Sequence, residues 1–436
     1  MTTEAVSVPY SGAQPVQRAG NVRSVIFGAG IGNVLEWYDF ASYAIFAPFF
    51  ASQFFNPTDK TAALLSTLAI FAVGFLLRPL GGLYFGWLAD RRGRRYAMVV
   101  SMCVTALGCL IIGISPTHAT IGILAPILLV TGRLAQGFGL GGEIGASYTF
   151  LVESAPTNRR GLWASSMFIA LIMGSLLATI VALVLNSTLP AGAMEAWAWR
   201  VPFLLGALLG VYAIFLRRGL EEPEAFKIAA TDEKVARKST WRSIYENRWA
   251  VLTVIGLTAG PTVSYNTWVS GATSYSINFK HMPANGALWA LLIACVVYII
   301  VQPFWGMFSD RNGRKPNLLI GAGFGVILAY PMVSLIQGEF WQLAVAMSVS
   351  MFVLAAWTSI CPAVYAELFP THIRATGTAI PYSLSVALFG GTAPYLQNWL
   401  ASLDRMDIFS GYLALLNLLT VVTILFMPET RGRPLT

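Results

Sequence analysis

Runs of apolar residues long enough to cross a bilayer dominate this 436-residue chain. A crossing helix needs about 20 such residues. Runs of that kind fall near 24–50, 61–88, 96–115, 121–152, 161–187 and 198–216, and again near 249–277, 286–308, 316–336, 340–368, 374–401 and 407–427. In hydrocarbon each backbone N–H and C=O must be satisfied inside its own segment, which confines every run to helix. The runs are too long for the alternating strands of about ten residues that build an outer-membrane barrel. Only 11% of residues are charged, against roughly 25% in soluble domains, so no single aqueous globule can bury this surface. The expectation is an all-α membrane protein with twelve transmembrane helices in two six-helix bundles. A tail over 1–23 precedes an N-terminal bundle over 24–216. A polar, densely charged linker over 217–248 leads to a C-terminal bundle over 249–427 and a tail over 428–436.

Lysine and arginine set the orientation, because loops rich in them stay on the cytoplasmic side. Of the 28 basic residues, only Lys60, Arg200, Lys280 and Arg405 fall in loops on one face, and Arg78 and Arg133 lie inside spans. All the others share the opposite face with both ends of the chain, so both termini are expected in the cytoplasm. The net charge of +8 is thus topology, and no nucleic-acid partner is expected. No short apolar core with a small-residue cleavage site precedes the first span, so no signal peptide is expected. Cys103, Cys109, Cys295 and Cys361 are scattered through apolar runs as small buried hydrophobes. His118, His281 and His372 fall between spans. Neither set suggests a disulfide or a metal.

The halves repeat each other. "GWLADRRGRR" (86–95) follows the second span and "GMFSDRNGRK" (306–315) the eighth, matching Gly86 to Gly306, Asp90 to Asp310, Arg91 to Arg311, Gly93 to Gly313 and Arg94 to Arg314. "ESAPTNRR" (153–160) and "ELFPTHIR" (367–374) align Glu153 with Glu367, Pro156 with Pro370 and Arg160 with Arg374. Two parallel six-helix halves form one large transporter architecture, with the substrate path between them.

Along nearly its whole length the chain resembles the major facilitator superfamily. The Gly-x-x-x-Asp-Arg-x-Gly-Arg-Arg loop, "GRLAQGFGLGG" in the fourth span and the terminal "PETRG" carry the likeness. "GNVLEWYDF", "GFLLRPLGGLYFGWLADRRGRR" and "GGEIGAS" resemble its metabolite:proton symporters. Members of that subgroup carry citrate, 2-oxoglutarate, shikimate, aromatic dicarboxylates, or proline and betaine. The likeness implies a multi-pass protein of the bacterial inner membrane, with a proton as coupling ion and no other cofactor. It also implies that Asp90, Arg91, Arg94 and Glu153, with Asp310, Arg311, Arg314 and Glu367, latch the outward-open state and release when the halves rock. An acid beside a helix N-terminus gains roughly 0.3–1 kcal/mol from the dipole when exposed. Arg94 with Glu153, and Arg314 with Glu367, are candidate pairs. A plain positive-inside anchor is the alternative for the basic runs, but it would not need the repeated Gly and Asp. Glu143 fits either a gate or a structural role. The subgroup often has an aromatic where Ile144 stands.

Two acids in the first span, Glu36 and Asp39, share a helical face with Gly28, Gly32 and Tyr43. Val34, Leu35 and Phe40 fall on the other face, suited to lipid or packing. At ~1.5 Å per residue, Glu36, Asp39, Arg78 and Arg133 all come out roughly 15–23 Å from a membrane edge, near the middle of a ~30 Å core. Each charge there costs at least ~2.5–3.5 kcal/mol on insertion scales. Two acids and two arginines sum to zero, so a static set of ion pairs is one explanation. The other is a proton-coupled site. Arg133 would pair with Asp39 when empty, an anionic substrate would compete for the guanidinium, and the freed, desolvated carboxylate would take a proton. An acid of span one facing an arginine of span four is a recurring coupling pair in the superfamily. Arg78 is either a bidentate carboxylate clamp, with Glu36 as its partner, or a packing residue snorkelling beside Pro79.

No charge falls in the interior of spans seven to twelve, whose ends alone hold Glu367, Arg374 and Asp407. Neutral groups are therefore expected from that half: Tyr265, Asn266 and Trp268 after the break at Pro261, then Gln302, Trp357 and Tyr382. With Tyr43 they suit a planar or apolar-bodied acid. The chain carries no Gly-x-Ser-x-Gly, His-Glu-x-x-His or Walker loop, so neither an enzyme nor an ATP-driven pump is expected. The expected function is proton-coupled uptake of a small organic carboxylate by a monomer in the lipid bilayer. A proline or betaine symporter is the alternative, and the short "RGRPLT" after the last span counts against it.

Overall fold

The computed structural model describes residues 22–55, 58–92, 94–141, 148–149, 151–153, 155–218, 244–370 and 373–433. Glu143, His372 and most of the linker expected at 217–248 lie outside them, as do the side chains of Asp90 and Arg94. Among the described residues the regular structure is helical, and helix fills all twelve apolar runs. The first span is one helix, Val22–Phe54. The second is two, Lys60–Leu76 and Arg78–Arg92. Pro79 has no N–H to give the preceding turn, and its ring crowds the carbonyl four residues back, so the helix breaks at Leu77. Asp59 caps the entry by accepting the Ala62 N–H at 2.9 Å.

Spans three to six are Arg94–Ile114, Leu124–Leu140 with its continuation at 148–149 and 151–153, Arg160–Thr188, and Val201–Arg218. The fourth crosses the second at glycine. A Cβ on Gly137 would lie 1.9 Å from the Gly74 carbonyl oxygen, a contact that only bare backbone allows. Gly132, Gly137, Gly139 and Gly141 of "GRLAQGFGLGG" are thus packing surfaces first.

In the second half, spans seven and eleven are interrupted. Arg248–Asn266 passes into a π-helical turn, Thr267–Gly271, and then Ala272–Phe279. Arg374–Ser385 passes into another, Val386–Gly390, before Ala393–Ser402. Such wide turns free backbone groups, and in a membrane they persist where protein or a cavity supports them. Ala284–Asn312, Arg314–Ser334, Phe340–Thr358 with Cys361–Leu368, and Met406–Phe426 complete the half. Span five packs along span one of its own half and along span eight of the other. Leu107, Ile123, Leu208, Phe215, Ile327, Leu415 and Leu425 are exposed on the outer surface, where lipid would cover them.

Candidate functional site

The polar face of the first span is almost closed. Asp39 is buried, and its Oδ1 has no hydrogen-bond partner. That oxygen sits against the sixth span, where a Cβ on Gly206 would come within 2.1 Å of it. Arg133 is buried too, but no ion pair joins it to Asp39. Its Nη1 instead donates to Gln136 Oε1 at 2.8 Å. Aromatic rings carry the rest of the guanidinium. Its carbon lies 4.3 Å from the centre of Tyr43, 4.8 Å from Phe40 and 5.2 Å from Phe71. Arg78 is held the same way, 4.3 Å from Phe75, 4.5 Å from Phe40 and 5.4 Å from Trp37. Each desolvated cation–π contact returns up to ~2 kcal/mol, which offsets much of the cost of burying the charge. Arg133 Nε and Nη2, and Arg78 Nε, have no hydrogen-bond partner.

The Phe40 ring therefore touches both guanidiniums, although helical periodicity puts it on the apolar side of the span. Helix surrounds the span, so its second face is buried as well. Tyr43 serves as a shelf under Arg133, and its hydroxyl is tied to the Thr67 carbonyl at 3.0 Å. Glu36 is half-buried. It lines a pocket inside the first half with Asp39, Ser101, Thr105 and Gly210, and its field reaches Arg78.

A separate cavity lies between the halves. Tyr265, Asn266, Trp357 and Tyr382 line it from the second half, and Trp37 and Phe168 from the first. Arg78 borders it through Trp37 and Tyr382. The halves meet here, with Trp37 edge-on to Tyr265 at 5.9 Å and Tyr148 edge-on to Tyr382 at 5.8 Å. Asn266 Oδ1 and Trp357 Nε1 are buried and unpartnered. Two expected residues point elsewhere. Trp268 faces Ser264, Leu354 and Asn417 inside the second half. Gln302 donates to Thr358 Oγ1 at 2.6 Å, one layer behind the cavity wall. Sequence reasoning missed Trp37, although it stands in the quoted "GNVLEWYDF". It also missed Phe40, Gln136 and Cys109.

The basic face is clasped by charge. Asp310 accepts the Gly161 and Leu162 N–H groups at 2.8 and 2.9 Å, so it caps the fifth span across the interface. Arg314 holds Asp310 at 2.8 Å and Glu367 at 3.4 Å. Arg374 pairs with Glu153, and Arg160 approaches Glu367 at 3.6 Å. Glu153 thus finds a partner in the other half, while the side chain of Arg94, its expected partner, lies outside the described residues. Arg91 and Arg311 are exposed, with Arg91 over the Trp87 ring at 4.6 Å. The opposite face has a neutral clasp. Asn186 donates to Asn285 Oδ1 at 2.8 Å, and Ser187 reaches the same oxygen at 3.4 Å. The halves thus touch at both faces and at mid-depth around the cavity.

Comparison with known proteins agrees with this architecture. A model of the Major Facilitator Superfamily matches residues 29–380. The chain is 36% identical to the alpha-ketoglutarate permease of Escherichia coli K12 over 404 residues, covering 92% of this chain and 93% of that protein. It is 33% identical to the glycine betaine/proline/ectoine/pipecolic acid transporter OusA of Dickeya dadantii, and 32% identical to the proline/betaine transporter of E. coli K12. Each of those matches covers 95% of this chain and 85% of the relative. In fold it resembles the partially occluded inward-open xylose transporter XylE of E. coli, with TM-score 0.73 and 20% identity over 95% of this chain and 99% of that one. Two repeated six-helix halves clasped around a central cavity, with these likenesses along nearly the whole length, establish that the chain belongs to the Major Facilitator Superfamily and is a multi-pass membrane transporter, not an enzyme.

Proposed function

We propose that this protein takes up a small organic carboxylate together with a proton, by alternating access, as a monomer in the bacterial inner membrane with both termini in the cytoplasm. One observation carries the reading. Two buried guanidiniums, Arg78 and Arg133, rest on one aromatic ring and keep N–H donors unpartnered. Unpaired donors on a buried cation are costly to maintain and match the fork of a carboxylate. Two of them beside Phe40 suit a substrate with two acidic groups. Asp39 is the proton carrier in this scheme. It is a buried acid with an unsatisfied oxygen, close to Arg133 but not neutralised by it.

A second reading keeps the same machinery for a betaine or proline zwitterion. Trp37, Tyr265, Trp357 and Tyr382 around the cavity would receive a quaternary ammonium by cation–π contact, with Arg78 on the carboxylate. Uptake into proteoliposomes under an imposed pH gradient separates the two. The panel is 2-oxoglutarate, citrate, shikimate and an aromatic dicarboxylate against proline and betaine. A dicarboxylate should accumulate, and only with the gradient. Arg133→Ala should weaken anion uptake about 100-fold, since two charge-assisted hydrogen bonds are lost. Asp39→Asn should lose far more uphill uptake than counterflow exchange. Accumulation of betaine alone selects the second reading. Normal uphill uptake by Asp39→Asn ends the assignment of Asp39.

A further inference from the structure

We propose that Cys109 and Gln136 are positioning residues that join Arg133 to Asp39 in a one-way hydrogen-bonded chain, so that occupancy of the guanidinium is reported to the carboxyl group through a thiol and an amide and not by a direct ion pair. The proposal rests on the proton-coupled reading above and adds the route of the coupling.

The geometry is specific. Arg133 Nη1 donates to Gln136 Oε1 at 2.8 Å, and Gln136 Nε2 donates to Cys109 Sγ at 2.9 Å. The thiol lies beside the Asp39 side chain, whose Oδ1 takes no hydrogen bond, so the relay assigns its S–H to the other carboxyl oxygen. Above Gly206, a single point lies 2.1 Å from Asp39 Oδ1 and 3.5 Å from Cys109 Sγ, so the two groups share one niche. Gln136 stands one turn from Arg133 on the fourth span, where side chains three apart are neighbours. A sulfur that accepts from an amide leaves its S–H free to donate. The two observed bonds point from the cation towards the acid, guanidinium to amide and amide to thiol, and the relay completes them with thiol to carboxylate. Chains aligned in this way polarise each other, and more so when water is excluded. All four side chains are buried.

The arrangement also explains how Arg133 serves two partners. Only Nη1 is committed to Gln136, while Nε and Nη2 remain unpartnered and are the edge an anionic substrate would take. Drawing the guanidinium towards a substrate removes the anchor of the amide. The thiol then loses the polarising donor behind it, and the carboxylate loses its charge-stabilising contact, which favours the protonated acid. Of the other groups around Asp39, Glu36 and Tyr38 share its span, Arg78 of the second span acts on Glu36, and the sixth span presents Gly206 without charge.

The test uses full-length protein in proteoliposomes, with the dicarboxylate that the panel identifies, or 2-oxoglutarate as the default. Cys109→Ala should lose about tenfold more uphill accumulation than counterflow exchange. It should also move the half-maximal pH of uptake alkaline by about one unit, the loss of one charge-assisted hydrogen bond. Cys109→Ser, which keeps a donor and an acceptor, should restore both values, and a purely packing role for the thiol would not predict that rescue. Gln136→Met, close in volume but without the amide, should repeat the Cys109→Ala phenotype, and it carries the test alone if Cys109→Ala fails to reach the membrane. The relay is overturned, and the proton reading survives, if these variants keep the wild-type pH profile and accumulation while Asp39→Asn is uncoupled. If Asp39→Asn itself concentrates substrate normally, the proton reading falls and the relay falls with it.

Discussion

Asp39, Arg78 and Arg133 are visible from sequence for one physical reason: a charge near mid-bilayer is too costly to be incidental. The neutral residues that complete the site have no such signature. Gln136 and Cys109 differ little from other small polar residues in apolar helices until a distance connects them. Phe40 was assigned by periodicity to the apolar face, but a face rule holds only for a helix with one dry side. Gly206 was equally silent. Its missing Cβ gives the Asp39 carboxyl its place, with only 2.1 Å between that oxygen and the point a methyl would occupy. Gly206→Ala must therefore shift the carboxyl group or the sixth span. Overpacking of this kind costs about 1–3 kcal/mol, and at 1.36 kcal/mol per tenfold uphill uptake should fall about tenfold or more. A Gly206→Ala transporter that accumulates substrate as wild type does would show that Asp39 needs no fixed position.

At the scale of helices, the runs and their order were legible because bilayer thickness fixes a length that apolar stretches must meet. The breaks were partly legible. Pro79 marks the interruption of span two, whereas Pro261, expected to break span seven, stays inside its helix, and the π turns at Thr267–Gly271 and Val386–Gly390 follow five to six residues after Pro261 and Pro381. "PETRG" carries the family likeness, and its physical work is capping. Glu429 accepts the N–H groups of Arg314 and Lys315 at 2.9 and 3.0 Å, at the start of span nine, and those of Thr430 and Arg431 in its own turn. Burial alone would raise this carboxyl, but the hydrogen bonds from Lys315, Arg431, Arg314 and Thr430 outweigh it and hold Glu429 below the usual carboxylate range. A depressed acid contributes stability that is present above its unfolded value, near 4.3, and is lost only as pH falls through the lower folded value. Tail docking should then be constant from pH 8 to pH 5 and weaken below about pH 4. Glu429→Gln should loosen the tail at neutral pH. Protease cleavage after Arg431 or Arg433 is the readout, and equal cleavage rates in the variant and wild type would refute the capping role.

In the whole molecule, the repeat predicted an equivalence between halves, and the structure uses it reciprocally. Glu153 and Arg160 of the first half correspond to Glu367 and Arg374 of the second, and each acid faces the other half's arginine. Loop proximity could not distinguish this from pairing within a half, since the aligned motifs are identical in kind. The two bridges are unequal in surroundings. The Glu153 side chain is 39% exposed, whereas Glu367 is 0% exposed and also holds Arg314 and the Thr430 hydroxyl. Solvent screening limits the first bridge to about 1 kcal/mol. Removing Glu367 leaves Arg314 and Arg160 short of a buried counter-charge, a loss of about 3–5 kcal/mol. Both variants should therefore favour opening of the basic face, but by different amounts. With Thr262→Cys as a cavity reporter in a background lacking the native cysteines, Glu153→Gln should raise the alkylation rate from that face about fivefold, the equivalent of about 1 kcal/mol. Glu367→Gln should raise it at least 100-fold, up to the ceiling of the fully open state. A charge swap, Glu153→Arg with Arg374→Glu, should return the rate towards wild type, because the bridge is rebuilt in reverse. Equal rates for the two single variants, or a swap that opens the face further, would mean that the halves are held shut by packing along spans five and eight and not by the repeated charges.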